Sequence, residues 1–203
     1  MKNILFLLLF PLLYIMASAQ NAPLPDKYQT GLFKTNDGAM LVYTSSRKSF
    51  RMDFVSQNIE PSENPNSFAI DSISIISQIT PAKGNMEYDS LTTEQQKTSI
   101  NLYMNNEIIH KFDITPPVTE WLTINNKLFL FWYYNLNDDK SDIDKQMFLT
   151  TLCFDQILNL STPLPKAGGD FNKNKSLLIK TAKSLKLINS GINLQALYEE
   201  LNR

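Results

Sequence analysis

The chain has 203 residues, 43% of them hydrophobic, and its 12 Phe, 8 Tyr and 2 Trp supply enough apolar area for a packed core, which excludes a wholly disordered protein. A formal net charge of −1 gives no basic field that would attract nucleic acid. The single cysteine cannot form an intramolecular disulfide, and the single histidine cannot supply a histidine-rich metal site.

The first 20 residues have the pattern of an export signal. Lys2 supplies a positive start, residues 4–16 form an apolar run broken only by one proline, and the triplet Ala-Ser-Ala at 17–19 is the pattern that signal peptidases cut after. The alternative, a membrane anchor, is disfavoured because the run is shorter than the ~20 residues that span a bilayer. We expect residues 1–19 to be removed, leaving residues 20–203 as a periplasmic or extracellular protein without a stable membrane anchor.

Alternating apolar residues predict strands in the first half of the mature chain. The pair Asp37-Gly38 lies between two apolar runs and is typical of a hairpin turn. In residues 49–55, aromatic and methionine side chains alternate with charged ones, which predicts a strand with one buried face. The apolar phase shifts within residues 68–79, so this segment is expected to form a bulge or two short strands.

Residues 91–113 fit two structures. Residues 92–96 offer capping-box pairs, and apolar side chains then recur every four residues from Ile100 to Phe112, which favours a helix containing Tyr103. The alternative is a hairpin that turns at the Asn-Asn pair at 105–106. The helix is favoured because the cap and the longer period agree.

The second half returns to strands and ends in helices. An Asn-Asn pair at 125–126 separates two apolar runs and predicts a further hairpin. Residues 128–134 are apolar in both alternating phases, which predicts a central aromatic strand covered on both sides. Residues 146–160 read as one long strand, residues 176–188 as a helix, and Asn193 as the cap of a last short helix.

These elements predict a single α+β domain over residues 20–203. Its features are a mainly antiparallel sheet with a central aromatic strand, one middle helix and a C-terminal helical end. The segment from residue 93 to residue 160 contains a tyrosine-bearing helix, Glu120-Trp121, the aromatic strand and a further strand, and in this order it resembles a group of exported bacterial proteins of unknown function. The whole plan is similar to that of PsbP/Mog1-like domains, which are mostly accessory or binding proteins. This likeness is one of fold and names no site.

Two groups are candidates for nucleophilic chemistry. Cys153 and His110 would have to meet in space to form a thiol–imidazole pair. Cys153 lies inside an apolar strand pattern, where a free cysteine behaves as a small hydrophobic residue, and His110 lies near a predicted helix end, where it can interact with the last carbonyl groups. We therefore interpret both as structural.

Two further motifs are close to known ligand sites. Asp138, Asp139, Asp142 and Asp144 form an acidic run with the oxygen ligands that calcium prefers, but without the glycine and glutamate of a calcium loop, so a solvated loop is expected and weak ion binding is the alternative. Residues 169–176 differ by one residue from a phosphate-binding loop, and we interpret them as a connector that caps a helix.

Aromatic side chains supply the candidate ligand site. Trp121, Tyr134 and Tyr103 are expected to line a cleft that stacks on a sugar, a peptide or a lipid-like ligand, whereas packing in the core is expected for Phe129, Phe131 and Trp132. We assign no catalytic residue, no metal and no cofactor.

The leading hypothesis is an exported, non-catalytic protein that binds a partner protein or a small ligand and does not bind nucleic acid. The alternative is a hydrolase that uses carboxylates such as Asp142, Asp144 or Glu120.

Overall fold

The computed structural model describes residues 27–56, 58–62, 66–82, 90–109, 111 and 114–202. The predicted signal peptide and His110 lie outside these residues. The strands of the described part are β1 (Gln29–Thr35), β2 (Gly38–Thr44), β3 (Ser49–Val55), β4 (Ile59–Pro61), β5 (Ser67–Ile70), β6 (Ile73–Pro81), β7 (Val118–Ile124), β8 (Lys127–Asn135), β9 (Ile143–Cys153), β10 (Gln156–Pro165) and β11 (Lys186–Ile188). The helices are α1 (Thr93–Ile108), α2 (Phe171–Lys183) and α3 (Leu194–Leu201), and none of them has the length and apolar run needed to cross a bilayer.

The strands form two antiparallel sheets. The large sheet has the order β4-β5-β6-β10-β9-β8-β7, and the small sheet has the order β1-β2-β3-β11. The α+β class and the antiparallel pairing predicted from the sequence are confirmed, and the structure divides the strands between two layers.

Two tight turns consist of pairs of residues with positive φ, and the first of them forms a predicted hairpin. Asn125 and Asn126 have φ values of 50° and 60° and join β7 to β8, as the Asn-Asn pair predicts. Asp71 and Ser72, with φ values of 50° and 66°, join β5 to β6, so residues 68–79 form two short strands. Two consecutive left-handed residues give the turn a twist that matches the strands it connects.

The prediction of a single strand over residues 146–160 is wrong. The chain turns at Phe154 and Asp155, and β10 pairs back on β9. Phe154 has a φ of 55°, a conformation that bulky residues rarely adopt, and its ring is buried beneath the amine of Lys48, 5.2 Å from the ring centre. Tyr28 also donates a hydrogen bond to the carboxylate of Asp155. Contacts with residues distant in the sequence hold this turn in place. The sequence at this position contains no residue pair that is typical of a tight turn.

The predicted helix at residues 176–188 is displaced in the structure. Helix α2 begins five residues earlier because the carboxylate of Asp170 accepts a hydrogen bond from the main-chain N–H of Lys173. It ends early because the hydroxyl of Ser184 donates to the main-chain oxygen of Asp53 and accepts from its N–H. Residues 186–188 then continue as β11 beside β3.

The other two helices begin where the sequence predicts. At the start of α1, the side chain of Thr92 accepts from the N–H of Gln95, and the side chain of Gln95 accepts from the N–H of Thr92. With this reciprocal capping box, helix α1 confirms the helix over the hairpin for residues 93–108, and positions 110, 112 and 113 of the predicted segment lie outside the described residues. The side chain of Asn193 caps α3 by accepting from the N–H of Ala196.

The large sheet is covered on both faces. Helix α1 packs on one face over β8, β9 and β10 and encloses the outer cluster, which comprises Ala82, Ile100, Tyr103, Met104, Leu130, Trp132, Tyr134, Phe148, Leu152 and Ile157. The small sheet and α2 pack on the other face and enclose the inner cluster, which includes Tyr43, Phe50, Phe54, Phe68, Phe129, Phe131, Cys153 and Leu178. The hydroxyls of Tyr43 and Ser77 are 2.7 Å apart and link the two sheets.

Strand β8 contributes to both clusters. Leu130, Trp132 and Tyr134 point into the outer cluster, and Phe129 and Phe131 point into the inner one. Both faces of the aromatic strand are covered, as its sequence predicts, with only Leu128, Tyr133 and Asn135 partly exposed. β8 is an interior strand of the sheet, and β7 pairs with it at the edge.

A buried polar chain crosses the outer cluster. The indole N–H of Trp132 donates to Oγ1 of Thr150 over 2.9 Å, and Thr150 Oγ1 donates to the Oδ1 of Asn159 over 2.7 Å. All three side chains are buried, so each of these polar groups depends on the next for its partner.

Replacing Thr150 by Val is expected to lower the free energy of unfolding by about 2 kcal/mol or more, because it leaves the Trp132 N–H and the Asn159 oxygen buried without partners. Thr150→Ser keeps the hydroxyl and removes one methyl group, so it is expected to cost about 1 kcal/mol. Urea unfolding followed by tryptophan fluorescence measures both values. Equal losses in the two variants would contradict a structural role for the hydroxyl.

Alkaline pH is expected to weaken the fold through its buried tyrosines. Burial raises the pKa of Tyr43 to about 12 from an ordinary value of 10.0, so its contribution to stability is complete below about pH 10 and is lost as the pH rises towards 12. We expect Tyr43→Phe to reduce the slope of unfolding free energy against pH in this window. Tyr198→Phe is the matched control, since Tyr198 is 54% exposed, and it should leave the slope unchanged.

Candidate functional site

The three aromatic residues predicted to bind a ligand lie on the same side of the large sheet. Tyr103 and Tyr134 are members of the outer cluster, only 7% and 3% exposed, and Trp121 packs against its rim half-buried. The Tyr134 ring lies 5.6 Å from that of Phe148 and 6.2 Å from that of Trp132. Tyr103 and Tyr134 thus belong to one cluster that Trp121 borders, Trp121 is the most accessible of the three, and a ligand site formed by them stays a prediction.

The phenol groups of this cluster are held neutral. Burial, assisted by the nearby carboxylate of Glu107, raises the pKa of Tyr134 to about 12, and the same two causes raise the pKa of Tyr103 well above its ordinary value. The Tyr103 hydroxyl has no hydrogen-bond partner of good geometry in the described part of the chain. These phenols are therefore proton donors and apolar rings at neutral pH, and they are not bases.

Cys153 lies at the end of β9 in the inner cluster and is fully buried, as its sequence context predicts. Burial raises the pKa of its thiol to about 11, although the ammonium group of Lys127 acts in the opposite direction. A thiol in this state is not a nucleophile near neutral pH, because the thiolate is the reactive form. Its proposed partner, His110, falls outside the described residues.

Of the carboxylates considered for hydrolysis, Asp142 and Asp144 lie on either side of Ile143 at the start of β9, and Glu120 lies elsewhere, on β7. Glu120 forms an ion pair with Lys175 of α2, and Asp144 forms one with Lys145. Through the strand register, Glu120 lies opposite Phe131 and then Leu149, which is roughly 16 Å along β9 from Asp144. Glu120 and Asp144 therefore do not share a site.

Asp138, Asp139 and Asp142 of the acidic run lie in a loop before β9, and Asp144 lies within β9. Oδ1 of Asp138 accepts from the main-chain N–H of Lys140, and Lys166 donates to the main-chain oxygen of Asp138. Within the described residues, no group of three or more His, Cys, Asp or Glu side chains is arranged to hold a metal ion.

The segment that resembles a phosphate-binding loop is the start of α2. Asp170 occupies the cap, and the buried side chain of Asn174 donates to the hydroxyl of Thr162 and the main-chain oxygen of Pro163. The interpretation of this segment as a helix cap is confirmed.

A groove that sequence analysis did not find runs beside β1, at the rim of the space between the two sheets. Its cavity volume is about 470 Å³, compared with about 260 Å³ beneath the β7–β8 turn and about 250 Å³ beside the start of α2. The residues lining this β1 groove are Leu32, Lys34, Thr35, Asn36, Gly38, Ala39, Ser56 and Ile59. A volume of this size falls in the range of ligand-binding clefts.

The walls of the β1 groove combine apolar and polar groups. Leu32 and Ile59 pack against the inner cluster, so their outer surfaces form an apolar floor. Lys34 is exposed and is the single charged side chain among the described lining residues. The hydroxyl of Ser56 donates to the carboxylate of Asp71 over 2.8 Å and accepts from the N–H of Asn58, which fixes the wall next to β4.

β1 is an edge strand, and two residues of its free edge, Leu32 and Lys34, also line this groove. Thr35 and Gly38 close a two-residue turn and pair with each other, so the alternation of an antiparallel ladder directs the N–H and C=O groups of Thr30, Leu32 and Lys34 away from β2. The bond from Ser56 N–H to Asp37 oxygen fits the same alternation on the far side of β2. Among the described residues, no strand pairs with this side of β1.

The Asp-Gly pair predicts the hairpin that positions the groove, and the hairpin is confirmed. The cavity itself depends on Ile59 of β4, a strand of the large sheet that lines the cavity together with residues of the small sheet. Pro61 and Pro65 are typical of a loop, so the sequence does not indicate β4. No periodicity in the sequence signals this cavity.

No protein-family model matches this sequence, and a search of curated proteins finds no match. Among solved structures, the chain is similar to the solution structure of cyanobacterial PsbP (CyanoP) from Synechocystis sp. PCC 6803, with 12% sequence identity and a TM-score of 0.42. The similarity covers 83% of this chain and 96% of that chain.

Proposed function

We propose that the mature chain is an exported, non-catalytic protein that binds a segment of a partner protein in the β1 groove. The observation that carries this proposal is the coincidence of an accessible cavity of about 470 Å³ with the free edge of β1. A cavity offers apolar contact and a free strand edge offers hydrogen bonds, and together they suit an extended polypeptide better than a compact solute.

Binding is favoured over hydrolysis by the positions of the candidate catalytic groups. Cys153 is buried, while Glu120 and Asp144 are paired with lysines in different parts of the large sheet. None of these residues lines the β1 groove. A hydrolase that pairs Glu120 with Asp144 is therefore disfavoured.

Export is supported by the composition of residues 1–19. Purified protein from the producing cells is expected to begin at Gln20, because the Ala-Ser-Ala triplet at 17–19 presents small side chains to the signal peptidase. N-terminal sequencing measures this directly. Ala19→Asp should block cleavage and leave the protein in the cell fraction, and a wild-type mature chain that still begins at Met1 would contradict export by this route.

Partner binding in the groove is tested by photocrosslinking in the producing cells. A benzophenone side chain at the position of Thr35 is expected to give an adduct of one defined mass, because Thr35 lines the groove. The same group at the position of Lys180, an exposed residue of α2, is the control and should not give this adduct. Lys34→Glu should reduce the yield severalfold. Identical adducts from both positions, or none from Thr35, would contradict the proposal.

A further inference from the structure

We propose that the partner binds as an added antiparallel strand on the free edge of β1, and that it carries an aspartate or glutamate two residues before an apolar residue. This inference rests on the proposed function and names the chemistry of the partner. Its basis is that three residues of β1 direct their main-chain groups outwards next to an apolar cavity and one lysine.

The edge strands of the two sheets differ in how well they can pair with an added strand. β4 and β11 have three residues each, and β4 ends in a proline, so neither offers a long row of main-chain groups. β1 has seven residues in continuous register with β2, without a bulge or a proline. Proteins commonly block exposed edges by shortening, bulges, prolines, charges or a covering helix. β1 has Lys34, and α3 packs against β1 at Gly31, on the face opposite to that of Leu32 and Lys34.

The other long edge strand, β7, also has seven residues but a different setting. Glu120 on β7 forms an ion pair with Lys175 of α2. The cavity next to β7 includes only the last residue of this strand, Ile124, and the turn that follows it. The cavity beside β1 instead includes Leu32, Lys34 and Thr35 of the strand itself. An added strand on β1 would gain side-chain contacts as well as main-chain hydrogen bonds.

The side chains on β1 define the partner sequence. Leu32 and Lys34 point to the same face of the small sheet, towards the groove, because side chains two residues apart share a face. An added strand places its own side chains opposite them on that face. The residue opposite Leu32 meets the apolar floor formed with Ile59, and the residue opposite Lys34 meets an ammonium group.

The direction of the added strand fixes the order of the two residues. In an antiparallel pair the partner runs backwards, so the residue opposite Lys34 comes two positions before the residue opposite Leu32. The partner motif is therefore Asp/Glu-x-apolar. An antiparallel strand is expected because that pairing is slightly more stable and is the pairing β1 already makes with β2.

The first test uses a synthetic peptide that is as long as β1 and is labelled with fluorescein. Its sequence alternates Thr and Val and contains one Asp two residues before a Leu. Binding to the mature protein is measured by fluorescence anisotropy. N-methylation of the Leu removes an N–H that faces β1 and should weaken binding about tenfold, whereas N-methylation of the residue before it should change binding less than about twofold. Equal effects at both positions would overturn strand addition.

The second test changes the receiving edge. Thr30→Pro removes an N–H that faces outwards and leaves the ladder to β2 intact, so the variant should fold and bind the peptide about fivefold more weakly. Thr30→Val is the matched control and should bind as the wild type does. Melting curves verify that both variants are folded. A folded Thr30→Pro variant with wild-type affinity would refute the proposal.

The third test exchanges charge. Lys34→Glu should lose affinity for the Asp peptide and gain affinity for the same peptide with Lys in place of Asp. An unchanged preference would contradict the motif. If no peptide binds while the benzophenone at Thr35 still captures a partner, strand addition is wrong and the proposed function stands. If the crosslinking also gives no adduct, both are wrong.

Discussion

The structure depends on a strand that has no face suited to water. In β8, Leu130 and Trp132 point to one side while Phe129 and Phe131 point to the other, so both sides must be covered. Helix α1 covers one side, and the small sheet with α2 covers the other. The layers of the molecule follow from this requirement, and the β1 groove lies at the rim where the inner layer ends.

Local signals predicted the elements whose geometry is set by neighbouring residues. The Asn-Asn pair at 125–126 and the box between Thr92 and Gln95 each satisfy hydrogen bonds within a few residues, and both appear in the structure as expected. The turn at Phe154 was missed because packing and the ring contact with Lys48 impose its left-handed conformation. The end of α2 was missed for a similar reason, since Ser184 finds its partners on β3, far away in sequence.

The candidate site also separates what local sequence signals predict from what only contacts between distant residues determine. Tyr103 and Tyr134 belong to the outer cluster and contribute to the packing of α1 against the sheet, while Trp121 borders that cluster. Aromatic content alone does not separate a core from a cleft, because both bury large apolar rings. The β1 groove was not predictable from the sequence, because it arises where strands of two different sheets pass each other and its lining residues are small, polar or half-buried.

The small sheet takes its strands from opposite ends of the chain. β1, β2 and β3 are synthesised early, whereas β11 follows α2 and pairs with β3 only after more than a hundred further residues have been made. Pairings of such long sequence separation are slow to form, since a large loop must close first. Until then β3 has an unpaired edge and Asp53 lacks its bonds to Ser184, so the emerging chain cannot complete this layer before its C-terminal residues arrive.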